Sequence, residues 1–213
     1  MAFDVGAVTE APIMIGGQAT LELPYRFLVQ TELGVLPSFY VNAADSVLVA
    51  AGAYDQNVSV LVRNALSNSV VFSLSGGWRP FADHGFEILG GYTLTDGGGT
   101  VSARQAVEAV TGSALPASIP DADIGLHSTV HSVHVSLGWQ WVIANHISIR
   151  TSLGYLQSVG SSSHLNVPAS IASNPMVAPH IDQANQAVDA YLNDKFTTYV
   201  KLPIVGLSVG YRF

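Results

Sequence analysis

The chain has 213 residues, a formal charge of −7 and no cysteine. That length suits one domain, the lack of thiols excludes a disulfide framework and thiol catalysis, and the acidic balance argues against a nucleic-acid partner. Only 11% of residues are charged, against roughly 25% in an ordinary soluble domain. Yet mean hydropathy is just +0.35, and no run of about 18 apolar residues would make a transmembrane helix. Met1 leads straight into Ala2-Phe3-Asp4 without a charged and apolar leader, so a mature chain with an added start methionine is expected.

In chain order, Phe3, Val5 and Ala7 alternate with Asp4, Gly6 and Val8, the period of two that marks a strand. After a turn at Thr9–Pro12, Ile13, Ile15, Gly17, Ala19, Leu21 and Leu23 oppose Met14, Gly16, Gln18, Thr20 and Glu22. Pro24-Tyr25 turns the chain again, and Phe27, Val29, Thr31, Leu33 and Val35 oppose Leu28, Gln30, Glu32 and Gly34. The insertion at about 41–68 has apolar residues at helical spacing (Val47, Leu48, Ala51, then Val58, Leu61, Val62), which predicts helix. Alternation resumes with Val70, Phe72, Leu74 and Trp78 against Ser73, Ser75, Gly77 and Arg79. It continues after a short turn with Phe86, Ile88, Gly90 and Tyr92 against Glu87, Leu89 and Gly91.

Asp96-Gly97-Gly98-Gly99 opens a second insertion, about 96–125, as a flexible loop; Ser102 with Gln105 reads as a capping box for a helix toward Gly112. The longest strand follows, with Val133, Val135, Leu137, Trp139 and Trp141 against Ser132, His134, Ser136, Gly138 and Gln140. Ala144-Asn145-His146 turns it into Ile147, Ile149, Thr151, Leu153 and Tyr155 against Ser148, Arg150, Ser152 and Gly154. A third insertion, about 159–198, places Pro179 ahead of a helix bearing Ile181, Ala184, Val188, Tyr191 and Leu192. Last, Val205, Leu207, Val209, Tyr211 and Phe213 alternate with Gly206, Ser208, Gly210 and Arg212. The expectation is one all-β domain over 1–213, an eight-stranded antiparallel up-and-down barrel.

A closing strand of alternating apolar residues that ends Tyr211-Arg212-Phe213 resembles that of small eight-stranded bacterial outer-membrane β-barrels. Connections that alternate short and long, except for a first outer connection of only a few residues, extend the resemblance over the whole chain at the level of architecture. It implies a Gram-negative outer-membrane location, with short turns and both termini periplasmic and helix-bearing long loops extracellular. It also implies the lipid bilayer as partner, and recognition of the C-terminal strand by the barrel-assembly machinery. A structural or binding role is expected, with a lipid or protein ligand at the loops. Alternatives are a narrow, porin-like channel or carrier for a small apolar molecule, and a lipid-modifying enzyme.

Alternation leaves open which face meets lipid. An eight-stranded barrel is only just wide enough for side chains; the Gly/Ser-rich set fits that space, whereas Trp78, Trp139, Tyr92 and Tyr155 would overfill it. The aromatic residues also gather at the short-turn end, as Trp78, Phe86, Trp139, Trp141, Tyr211 and Phe213, which is an interfacial girdle. The inward set then holds Glu22, Glu32 and Glu87 against Arg79, Arg150 and Arg212. With Gln18, Gln30 and Gln140 these are expected to form a neutralising network that plugs the interior.

Other constellations carry less. His127 and His131, four apart on one strand face, lie about 13 Å apart, so a metal site would need His164 or His180 to fold over them. Solvated rim histidines are expected instead, with no cofactor. His134-Val135-Ser136 resembles the His-x-Ser pair of outer-membrane lipid A deacylases, but here it points inward and lacks an orienting acid. Neither catalysis nor a metal site is assigned. Acids in the long insertions (Asp45, Asp55, Asp96, Glu108, Asp121, Asp123, Asp182, Asp189, Asp194) are expected to make the outer surface negative.

Overall fold

Alternation fixes which side chains share a face, and a ladder register that keeps large apolar residues together does the rest. The computed structural model describes residues 1–50, 59, 63–66, 69–81, 84–102, 123–167 and 178–213. Its strands are β1 (Ala2–Ala11), β2 (Met14–Glu22), β3 (Phe27–Val35), β4 (Val70–Trp78), β5 (Phe86–Ser102), β6 (Asp123–Ile143), β7 (Ile147–Asn166) and β8 (Lys201–Arg212). Each pairs antiparallel with its chain neighbour, and β1 meets β8 from Asp4↔Arg212 to Ala11↔Val205, closing the barrel. Register keeps Phe27 beside Trp78, Leu33 beside Phe72 and Val35 beside Val70 on the outside, with Glu32 beside Ser73 inside. A slip of one residue would exchange the two faces. Val135, Leu153 and Val205 are 53%, 62% and 57% exposed, whereas Thr20, Glu87 and Ser132 are buried. The apolar set therefore points outward.

Three connections differ from expectation. β1 runs on to Ala11 through its pairing with β8, so the turn expected at Thr9–Pro12 shrinks to Pro12-Ile13, where the Ile13 N–H donates to the Glu10 carbonyl at 2.6 Å. The glycine run begins no loop: β5 continues to Ser102, paired with β6 from Asp96↔Thr129 to Ser102↔Asp123. Likewise β7 runs on to Asn166 instead of ending near Val159. These segments stand beyond the mouth of the barrel, where the outer face needs no apolar alternation, so the pattern used to find strands stops before the strands do. Gly97 is required there, because a Cβ would collide with the Ser69 side chain. The Ser102–Gln105 capping box is not realised at Ser102, which is still in β5; residues 103–122 lie outside the described set, as do Ala51, Val58, Leu61 and Val62. Helix α1 (Ser38–Ala50) occupies the first insertion as expected.

The extended β7 outruns β8, which would leave its edge amides bare above Gln157. Helix α2 (Ala178–Tyr199) covers them. Asn193, Asp189 and Asn185 accept from the backbone N–H groups of Ser161, Ser163 and Leu165 at 2.8, 2.7 and 2.7 Å. Four helix residues rise about 6 Å and two strand residues about 6.6 Å, so one side chain per turn meets each outward-facing edge amide in succession. The next stripe of the helix, Val188, Leu192 and Phe196, is buried with Val101, Ile124, Leu126 and Leu165 on the inner face of the extension. Phe196 falls beyond the stripe read from sequence.

Below this cap an apolar layer of Val8, Met14, Val71, Leu156 and Ile204 fills the upper barrel. Val200 touches both clusters, so cap and barrel share one core. The outer surface is less acidic than expected. Asp45 is buried and accepts from Ser59 Oγ at 2.6 Å, Asp189 lies on the β7 edge, and Asp96 is engaged by Thr129 and His127. Asp55, Glu108 and Asp121 lie outside the described residues.

Replacing Asp189 with Ala strands the Ser163 amide at a cost of about 1–3 kcal/mol. Amide hydrogen exchange across 161–165 should quicken roughly 5- to 150-fold while β2–β4 stay unchanged; unchanged exchange at 161–165 would remove α2 as the edge cover.

Candidate functional site

Below the apolar layer, inward positions of β1–β8 converge on a charged centre. Glu87 is 0% exposed and receives Arg79 Nη2 at 3.1 Å and Arg150 Nε at 2.6 Å. Arg79 also reaches Glu22 at 2.9 Å and bonds Gln140, and Arg212 binds Glu22 at 2.7 Å. Arg150 Nη1 donates to Gln30 Oε1 at 2.7 Å and Thr20 Oγ1 at 3.0 Å. Gln30 Nε2 donates to Glu32 at 2.8 Å, and Gln18 Nε2 to Thr20 at 3.0 Å. All nine residues singled out for the interior thus stand in one connected set. Buried charge is tolerable only when paired and hydrogen-bonded, and each guanidinium here bridges at least two elements.

Charge balance departs from three against three. Asp4 is also buried inside, 3.5 Å from Gln140 Nε2, and Glu10 lines the same small cavity as Glu32 and Arg150. Among the described residues five carboxylates therefore face three guanidiniums. Both acids sit on the inward parity of β1, a signal the alternation carried; Thr20 likewise joins through its parity in β2. Gly138 makes room for the central acid, since a Cβ there would lie 2.9 Å from Glu87 Oε1.

His134 faces inward as expected, but its partners come from other strands, Thr93 on the adjacent β5 and Ser75 on β4, reached across Gly91. Ser75 Oγ lies 2.9 Å from Nε2 and Thr93 Oγ1 lies 3.0 Å from Nδ1, replacing the Ser132 and Ser136 contacts expected from the strand itself. Residues two apart on a strand point the same way without touching, whereas cross-strand residues meet. Both ring nitrogens engage hydroxyls, so the His-x-Ser pair forms no base–nucleophile unit.

The aromatic residues ring the short-turn end. Trp78 pairs with Phe27 and lies under the Arg26 guanidinium at 5.9 Å. Phe86 and Trp139 stand at 5.8 Å, His146 stacks on Tyr211 at 5.2 Å, and Phe213 lies 4.8 Å from Tyr211. Trp141 is 47% exposed on the same rim. At the opposite end a cavity of ≈ 80 Å³ lies between cap and barrel, bounded by Ile13, Leu36, Val41, Leu156, Phe196 and Val200.

No protein-family model matches the chain, and no curated protein does. Solved structures do. A major outer membrane protein from Thermus thermophilus shares 12% identity at TM-score 0.45, over 100% of this chain and 99% of that one. Acinetobacter baumannii CarO2 shares 10% identity at TM-score 0.43, over 100% and 99%. The N-terminal β-barrel domain of Pseudomonas aeruginosa OprF shares 9% identity at TM-score 0.42, over 100% and 97%. At these identities and scores the matches assign no family and no activity.

Glu87→Gln leaves Arg79 and Arg150 without their shared counter-charge and should cost about 3–5 kcal/mol. Glu22→Gln should cost less, because Glu22 is 23% exposed at its side chain. Urea unfolding of the refolded barrel in detergent ranks the two; equal losses would place the centre of the network elsewhere.

Proposed function

We propose that this protein spans a bacterial outer membrane as a closed barrel, with both termini and the turns at 23–26, 79–85 and 144–146 periplasmic and the helical cap outside. Its role is structural, or binding at the cap, rather than conductance. The observation that carries this reading is the combination of an apolar outer wall, ringed by aromatics at one end, with an interior occupied by a network of charged and amide side chains. Water would make such a wall unfavourable at roughly 25 cal/mol per Å², whereas a bilayer solvates it. The 9-residue strands β2, β3 and β4 match the roughly 9–11 residues a tilted strand needs to cross. The Tyr211-Arg212-Phe213 ending supports hand-over to a barrel-assembly machinery through β8.

The three tryptophans of the chain all belong to the aromatic ring, so one preparation tests both halves of the proposal. In vesicles containing brominated lipid, tryptophan fluorescence should fall by more than half, and in planar bilayers the same protein should pass no steady current. Unquenched fluorescence would remove the membrane, and stable open channels would remove the plug.

The cavity beneath the cap supports a second reading, a carrier or receptor for a small apolar molecule that enters from outside and goes no further. A small aromatic fluorophore should then bind the wild type at micromolar concentration and lose at least tenfold in affinity in Val41→Phe, which fills the cavity from α1. Equal binding by the two would sink this reading.

A further inference from the structure

The extended strands bring together side chains that spacing along one strand keeps apart. Register sets His127 on β6 directly opposite His164 on β7, and the two rings stand 5.1 Å apart at 52°. From the other side, Asp96 on β5 brings Oδ2 to 3.3 Å from His127 Nε2. The Thr129 hydroxyl donates to that same oxygen at 2.7 Å and holds its orientation. All three ligating groups share the outward face of the extension; His127 and Asp96 are 38% and 48% exposed at the side chain, and His164 is exposed.

These separations are those of a coordination shell. A tetrahedral ion with bonds of about 2.0–2.2 Å holds its ligating atoms about 3.3 Å apart and the centroids of two imidazole ligands about 5 Å apart. The geometry points to a surface site for one divalent transition cation of the zinc class, held by His127, His164 and Asp96, with solvent completing the shell. Two imidazoles and one carboxylate favour zinc, nickel or copper over calcium and magnesium, which take oxygen ligands. Among the described residues no three ligating groups yet converge on one point. The His127–Asp96 edge is in place, and in the proposed site the exposed His164 side chain, whose ring already stands 5.1 Å from that of His127, turns a ring nitrogen to the ion as the third ligand. His131 stays outside the set because its Nδ1 is bonded to the Tyr92 hydroxyl. The site requires only the extension and makes no demand on whether the barrel conducts.

Isothermal titration of the untagged full chain in detergent with zinc chloride tests the site. One zinc per chain should bind in the range of about 1–100 µM. His127→Gln and His164→Gln should each weaken binding at least tenfold and Asp96→Asn severalfold, while His131→Gln and His146→Gln leave it unchanged. X-ray absorption of the loaded protein should report two imidazole nitrogens and one carboxylate oxygen within about 2.0–2.2 Å. In the wild type, zinc should also shield His127 and His164 from acylation by diethylpyrocarbonate, a readout that needs no variant to fold. Equal affinity in His164→Gln, fewer than two imidazoles around the ion, or unshielded histidines would each overturn the site.

Discussion

Eight strands closed on themselves enclose a space barely wider than the side chains pointing into it, and the rest of the molecule follows from how that space is filled. Glycine and serine recur among the inward positions, as at Gly77, Gly91, Gly138, Ser75, Ser136 and Ser208, because room there is scarce. Where a large side chain enters, a neighbour gives way, as Gly138 does for Glu87. Charges admitted to so narrow a volume must find partners at once. Arg79 and Arg150 do so by converging on Glu87, which is fully buried; Thr20 and Gln30 accept from Arg150 Nη1 and Gln140 from Arg79, while Arg150 Nη2 has no hydrogen-bond partner. The apolar layer of Met14, Val71 and Leu156 lies above this network.

Sheet closure also creates the second constraint. A barrel has no edges, but β5, β6 and β7 run past the rim where β8 does not follow, so an edge reappears outside. Covering it with a helix whose polar stripe satisfies alternate amides, beside an apolar stripe buried against the sheet, turns an exposed edge into a cap. The cap then encloses the apolar cavity against the barrel mouth. Its outward strand face remains polar and presents the histidine and aspartate side chains from which a cation site is inferred.

The likeness to outer-membrane barrels in sequence pattern and the physical character of the wall point the same way through independent routes. One rests on the order of short and long connections and the aromatic ending of the chain; the other rests on which side chains the closed sheet turns outward.

Period-two alternation, read alone, determined the strand count, the faces and the limits of β3 and β4, because a half-buried strand repeats its environment every second residue and the residues record it. It also selected the nine interior polar residues and the aromatic rim, which depend only on parity and position along a strand. What it lacked was any register between strands. His134 meets Ser75 and Thr93, Asp4 joins the network, and His164 faces His127 only once the ladder is set. The extensions of β5 and β7 escaped notice because their sequence keeps no large apolar alternation on the outer face. Asn185, Asp189 and Asn193, spaced by four, carried a visible stripe, but its meaning required a bare strand edge at the right distance. Local periodicity belongs to the chain; partnership across strands belongs to the closed sheet, because residues far apart in sequence become neighbours only when the barrel shuts.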